Sequence, residues 1–360
     1  MKVFGVSVSY YTGKLEAYLR YKGLSYEMES PFGRAKEILP HTGAIQVPMV
    51  LLEDGRWMSD STPIIAYLDQ QHQKSPVMPD DPVVRFVALL IEDYADEWLW
   101  RPAMHYRWSY EHDRALLSRI LVDELAQHLK APRWLKLRVI RNRQRNGFVR
   151  DDGVTQATWD HVEGSFRAAL SSMSRMLKVR PFLLGGKPSI ADFGFMGPML
   201  RHFGQDPTPA EIMRNEAPDV YAWVARVWNT VGDETVDFLS VVPPDAQALL
   251  KEISETHLVQ LKHNAAAYMS QADNFQMSVQ GCLYQNLPVS RYRVYCLERL
   301  REEFSVLTSP QQQTVRALLA HPDASVLWDP GVEARSGYDE SRQAPFNKAI
   351  NVYGTGVPGS

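Results

Sequence analysis

At 360 residues, with 45% hydrophobic and 22% charged residues, the chain has room for two or three globular domains and is neither fibrous nor disordered in composition. A formal net charge of -3 gives no electrostatic pull toward nucleic acid or an anionic membrane, and no run of about eighteen apolar residues offers a spanning helix. The two cysteines, Cys282 and Cys296, lie far from any CxxC or metal-ligand spacing, which argues against a disulfide scaffold or a structural metal and fits a reducing cytoplasm.

The first residues, through Lys14, have a polar interruption within a few positions and read as a strand, not a signal peptide. Lys2 to Ser7 forms that strand, and Ser9 to Gly13 is a polar loop. Leu15, Tyr18, Leu19 and Tyr21 then recur at helical spacing up to Gly23, with Thr12 available as a cap. Leu24 to Ser30 is a second strand, and Pro31 to His41 a loop with a short helix. Val47-Pro48 opens a hairpin whose two apolar pieces, Met49 to Leu52 and Arg56 to Ser59, flank an Asp54-Gly55 turn. Asp60-Ser61-Thr62-Pro63 is a helix start, with Ser61 as N-cap and Pro63 in the first turn, where a missing N–H costs nothing.

Ser9 to Leu15, Tyr21 to Glu27, Val47-Pro48 and Asp60 to Leu68, in this order and spacing, resemble the N-terminal domain of the glutathione transferase superfamily. The resemblance implies an α/β thioredoxin-like domain over 1–75 that binds glutathione as co-substrate. Val47-Pro48 matches the cis-proline turn, whose backbone pairs with the cysteinyl part. Asp60 and Ser61 match the acidic-Ser pair that takes the γ-glutamyl ammonium and carboxylate, although the same two residues could be only a helix cap. Ser9 matches the position of the thiol-activating serine, with Tyr11 second, and Tyr10 stands where a proline is usual. The glycyl carboxylate would meet a cation in the segment holding Arg34, Lys36 and His41; Arg34 is the choice.

Gln70 to Pro82 is a linker by composition. From Val83 the chain is helical, with Val84, Val87, Ala88, Ile91, Tyr94, Ala95 and Trp98 on one face and the acids Glu92, Asp93, Asp96 and Glu97 largely on others. The aromatic cluster Tyr94, Trp98, Trp100, His105, Tyr106 and Trp108 suits core packing and, by the resemblance, an apolar acceptor pocket; Tyr10, Tyr94, Trp98 and Arg107 are its expected lining. The basic run from Arg133 to Arg150 reads as a solvated face or the rim for an anionic substrate. Ser189 and Asp192 make a capping box that opens a buried helix, similar to the superfamily's folding signature. An all-α transferase domain over 83–235 follows from the resemblance.

Residues 236–333 read as a helical extension, with Phe275 to Leu287 less regular, and 334–360 as a loosely ordered tail. His257 and His263 have no partners at metal-ligand spacing. The expectation is a cytoplasmic, homodimeric enzyme using glutathione on a hydrophobic small molecule, without nucleic-acid or membrane partners. Conjugation, ether cleavage and isomerisation all stay open. The other reading is a non-catalytic binding relative; a thiol-disulfide oxidoreductase is disfavoured because the first loop has no cysteine.

Overall fold

A computed structural model describes residues 1–43, 45–127 and 129–337. The chain begins with β1 (Lys2–Phe4), α1 (Tyr10–Tyr21), β2 (Glu27–Glu29), α2 (Ala35–Thr42), β3 (Met49–Leu51), β4 (Trp57–Ser59) and α3 (Ser61–Gln71). The four strands form one sheet in the order β2-β1-β3-β4, with β1 parallel to β2 and antiparallel to β3. Successive side chains in a strand face opposite ways, so Phe4, Met49 and Trp57 pack with Ile38 of α2 on one face. Val3, Val50 and Met58 join the main core on the other. The strands are shorter than the sequence pattern suggested. The first helix starts earlier, at Tyr10, because Ser9 and not Thr12 caps it. The cap of α3 is Asp60, one residue before the expected Ser61.

The helical part runs through α4 (Pro82–Glu97), α5 (Trp100–Ser109), α6 (Glu111–Leu125), α7 (Arg133–Gln144), α8 (Trp159–Leu177), α9 (Ile190–Pro198), α10 (Pro207–Glu216) and α11 (Pro218–Asn229). Wide π-type turns continue α7 through Arg150 and α9 through Phe203. The expected box at the start of α9 is present: Asp192 accepts from the Ser189 amide at 2.9 Å and hydroxyl at 3.0 Å. The same carboxylate takes the Leu183 amide at 3.0 Å and the Trp223 indole at 3.1 Å, tying α9 to two neighbours. Two glycines let α9 lie deep. A Cβ on Gly194 would sit 2.7 Å from the Glu92 backbone, and one on Gly197 would sit 2.7 Å from the Tyr10 ring.

The extension adds α12 (Gln247–Glu255), α13 (His257–Met269), β5 (Asn274–Val279), β6 (Cys282–Pro288), α14 (Arg291–Ser305) and α15 (Ser309–Leu318). It is therefore not purely helical. β5 and β6 form an antiparallel hairpin about Gln280-Gly281, both at positive φ, as a tight two-residue turn requires. Phe275, Met277 and Val279 are buried while the residues between them are exposed. The expected tail begins tied down: Ala334 and Ser336 are buried, and the Ser336 amide donates to Glu298 at 3.0 Å. The tail from 338 onward lies outside the described residues. No helix among those described is long and apolar enough to cross a membrane.

Glu92, Asp93, Asp96 and Glu97 of α4, which lie largely off its apolar face, are nonetheless all buried. Lys14, itself fully buried, meets Glu92 and Asp96 and reaches Thr62 at 2.8 Å. His257 lies 2.5 Å from Asp93, and Arg293 lies 3.2 Å from Glu97 and 3.5 Å from Asp152. Buried acids of this kind persist only when paired. Here the partners come from α1, α13 and α14.

Candidate active site

A cavity of about 560 Å³ opens where the sheet domain, α4 to α7 and the extension meet. Ser9, Val47, Pro48, Asp60 and Ser61 line one side of it. The Val47-Pro48 peptide is cis, as the motif implied. Ser9 ends the β1–α1 loop, and its Oγ accepts from the Thr12 amide at 3.4 Å. The hydroxyl hydrogen remains available at the positive end of α1.

Asp60 is held at φ 75°, a region unfavourable for a residue with a Cβ. Its Oδ1 accepts from the Thr62 amide at 3.3 Å, and its Oδ2 accepts from the Tyr292 hydroxyl at 2.7 Å. Burial raises its pKa to about 6, although the Tyr292 hydrogen bond and the Lys14 charge pull the other way. Ser61 is 1% exposed, and its Oγ has no hydrogen-bond partner. A buried hydroxyl without a partner costs stability.

The hydroxyls of the two tyrosines are both engaged by the protein. Tyr10 donates to the Ala95 carbonyl, and Tyr11 donates to the Asp96 carbonyl at 3.1 Å. Burial, followed by the charges of Asp96 and Glu97, raises both pKa values well above the usual phenol range. Both line the cavity as walls, Tyr11 stacked on Trp100 at 5.7 Å and Tyr10 edge-on to it at 5.5 Å.

Three expected residues lie outside the cavity. Arg34 pairs with Glu29 and with Glu37 at 2.9 Å, and its guanidinium covers the Phe4 ring. Tyr94 is fully buried against Phe195 and His257. Trp98 packs under Arg101, 4.7 Å away, and against Tyr284 of the hairpin. The helix breaks between Glu97 and Trp100, which turns the following aromatics to a new face. Trp100, Met104 and Trp108 therefore reach the cavity instead, joined by Leu121, Leu125 and Phe148.

Arg107 does line the cavity, but its donors are committed to the protein. It meets Asp206 at 2.7 and 2.9 Å, donates to the Val8 carbonyl at 2.8 Å, and also reaches the Arg201 carbonyl. It fixes the residue just before Ser9. Burial lifts Asp206 to about 6 against the pull of Arg107. Arg143, exposed at the rim, gives the basic run one position on the cavity. Sequence reasoning missed Glu97, His202, Tyr292 and Arg293, which also line it. Burial, then Arg107, depresses His202 well below the ordinary imidazole range, so it is neutral.

A thioredoxin-like sheet followed by a helical domain, with a cavity at their junction, is the architecture of a glutathione transferase. Residues 3–76 match the glutathione S-transferase N-terminal domain, and 146–230 match its C-terminal domain. Glutathione S-transferase U7 of Arabidopsis thaliana is 29% identical over 107 residues, covering 29% of this chain and 47% of that protein. Glutathione transferase GST 23 of Zea mays is 31% identical over 100 residues, covering 27% and 45%. The chain thus spans about half the length of the curated relatives it matches. The tau-class enzyme of mango, Mangifera indica, is 18% identical with a TM-score of 0.43, the match covering 69% of this chain and 94% of that one. With both domains present in order, the chain belongs to the glutathione S-transferase superfamily.

Proposed function

We propose that this protein binds glutathione and activates its thiol for attack on a hydrophobic, electrophilic small molecule. The observation that carries the reading is a pair of hydroxyls opening on one cavity: Ser61 Oγ, buried without a partner, and Ser9 Oγ, whose hydrogen is uncommitted. In this reading Ser61 and the start of α3 take the γ-glutamyl carboxylate, and Asp60 takes the ammonium. The Val47 backbone pairs with the cysteinyl unit. A free thiol with a pKa near 8.5 is mostly protonated at neutral pH. A hydrogen bond from Ser9 and the N-terminal end of α1 lower that value, the proton leaves to solvent, and the thiolate attacks the acceptor.

The acceptor lies against Trp100, Met104, Leu121, Leu125 and Phe148, with Arg143 at the rim for an anionic substituent. Substitution, ether cleavage and isomerisation share the thiolate step. We further propose the division 1–75, 83–235 and 236–333, a two-fold dimer and a cytoplasmic location; Cys282 and Cys296, both free thiols, agree with the last. A second reading, glutathione binding without turnover, draws support from Tyr10 and Tyr11, whose hydroxyls are already committed.

The test is glutathione titration followed by turnover of a chlorodinitrobenzene-type acceptor. Ser61→Ala should weaken glutathione binding about tenfold, the loss of one hydrogen bond to a charged group, while leaving the ligand-free fold as stable or slightly more so. Unchanged binding in this variant, or no binding by the parent protein at millimolar glutathione, sinks the proposal. Binding without turnover selects the second reading.

A further inference from the structure

We propose that Tyr292, on the C-terminal extension, is a positioning residue for the γ-glutamyl end of glutathione: its hydroxyl fixes the Asp60 carboxylate that receives the ammonium group. The inference deepens the glutathione reading and rests on it. It assigns the extension a part in ligand binding that neither matched domain contains, since those matches end at residues 76 and 230.

Three observations lead there. The Tyr292 hydroxyl donates to Asp60 Oδ2 at 2.7 Å across 232 residues of sequence. Such a bond to a carboxylate is of the strong, charge-assisted kind. With Thr62 on Oδ1, both oxygens of Asp60 are oriented, yet each keeps an acceptor site open. Tyr292 also lines the cavity beside Pro288, Ser290 and Arg293, so the contact lies in the cavity wall.

The mount of Tyr292 is rigid. Ser290 caps α14, accepting from the Arg293 amide at 3.2 Å. Asn264 of α13 grips the Ser290 backbone twice, from its Nδ2 to the carbonyl at 2.8 Å and from the amide to its Oδ1 at 2.8 Å. Arg293, the next residue, is paired with Glu97 of α4 and with Asp152. A hydroxyl carried on such a turn is held in place before the ligand arrives, which lowers the ordering cost of binding.

Charge explains why the contact matters. From α1, Asp60 faces Lys14 and Tyr11; from α4, Glu92 and Glu97; from α14, Tyr292 and Cys296. Burial and Glu92 favour the protonated acid, whereas Tyr292, Lys14 and the Thr62 amide favour the carboxylate. A neutral Asp60 has no charge to offer an ammonium group. Tyr292 stays a phenol, because burial and then Asp60 raise its own pKa well above the usual range, and so it remains a donor.

The experiment is calorimetric titration of glutathione between pH 5 and 8 into the full chain, Tyr292→Phe, Asp60→Asn and the double variant. The expected result for Tyr292→Phe is binding about tenfold weaker at pH 7. Its acidic limb should also move to higher pH than that of the parent, which follows Asp60 near 6. In the Asp60→Asn background the same substitution should change nothing further, because its effect runs through the carboxylate. A ligand-free measurement accompanies it: ¹³C NMR titration of the Asp60 carboxyl, expected to move upward in Tyr292→Phe. An unmoved Asp60 titration, parent-like affinity and pH limb, or an equal loss in the Asp60→Asn background overturns the proposal. Absence of glutathione binding by the parent protein overturns the glutathione reading itself and is seen in the first titration, whereas the carboxyl titration judges the Tyr292 contact separately.

Discussion

The two sides of the cavity are built on different physical terms. The side from residues 1–75 is made of short-range features: a capped helix start at Ser9, a cis turn at Val47-Pro48, and a cap at Asp60 next to an unpartnered Ser61. The opposite side, from α4 to α7 and the extension, is made of long-range ones. Its aromatic surface and its buried acids depend on partners far away in sequence. The first side can be damaged locally, one hydroxyl at a time. The second fails when a buried partner is removed, since the charge left behind has no solvent.

The largest effect should come from the residue that joins the two sides. Arg107→Met leaves Asp206 buried without its partner and frees the Val8 carbonyl before Ser9. Loss of stability of about 3–5 kcal/mol in urea unfolding is expected. Arg107→Lys should not restore it, because one ammonium cannot reproduce the two-point contact. A change under about 1 kcal/mol would show that Asp206 is content as a neutral acid, and the contrast between the sides would lose its main support.

Next in size is Ser9→Ala, expected to lower kcat about 100-fold with glutathione affinity nearly kept, as for loss of one preorganised donor to a developing anion. The ultraviolet absorbance of bound thiolate should fall with it. Tyr11→Phe should change kcat less than about threefold, because its hydroxyl already serves the Asp96 carbonyl. The reverse order of these two effects would move the chemistry from the local side of the cavity to the aromatic one.

A smaller effect on stability than that of Arg107 belongs to Glu97, which burial raises from 4.5 to about 7 although Arg293 opposes the shift. A carboxyl that holds its proton more tightly when folded stabilises the fold fully below about 4.5 and loses that contribution as pH rises through about 7. Glu97→Gln cannot ionise, so its stability should fall less between pH 5 and 8, by on the order of 2 kcal/mol. Parallel stability–pH curves for parent and variant would show that Glu97 is ionised throughout.

How far each part was legible in the sequence follows the same division. Val47-Pro48 and the Ser189–Asp192 box carry their geometry within a few residues, so motif and structure agree there, while at Asp60-Ser61 the cap falls one residue earlier than the pattern suggested. The burial of the α4 acids was not legible because their partners are remote: Lys14 is 82 residues from Asp96, His257 is 164 from Asp93, and Arg293 is 196 from Glu97. No local period encodes such pairs. Tyr94, Trp98 and Trp100 belong to one aromatic cluster in the sequence, and the helix break after Glu97 decides which of them faces the cavity. The hairpin at 274–288 did carry a signal, since Phe275, Met277 and Val279 alternate before Gln280-Gly281. Helical segments on both sides obscured it.

The 232-residue separation of Asp60 and Tyr292 has a consequence for synthesis. At about 5–20 residues per second, a ribosome needs on the order of 10–50 s to travel from one to the other. Throughout that interval the nascent chain can already form its sheet and the cradle on it. Asp60 and Glu97, however, wait without their partners on α14. The pocket is thus a late product of translation, finished only when the last third of the polypeptide docks onto the first.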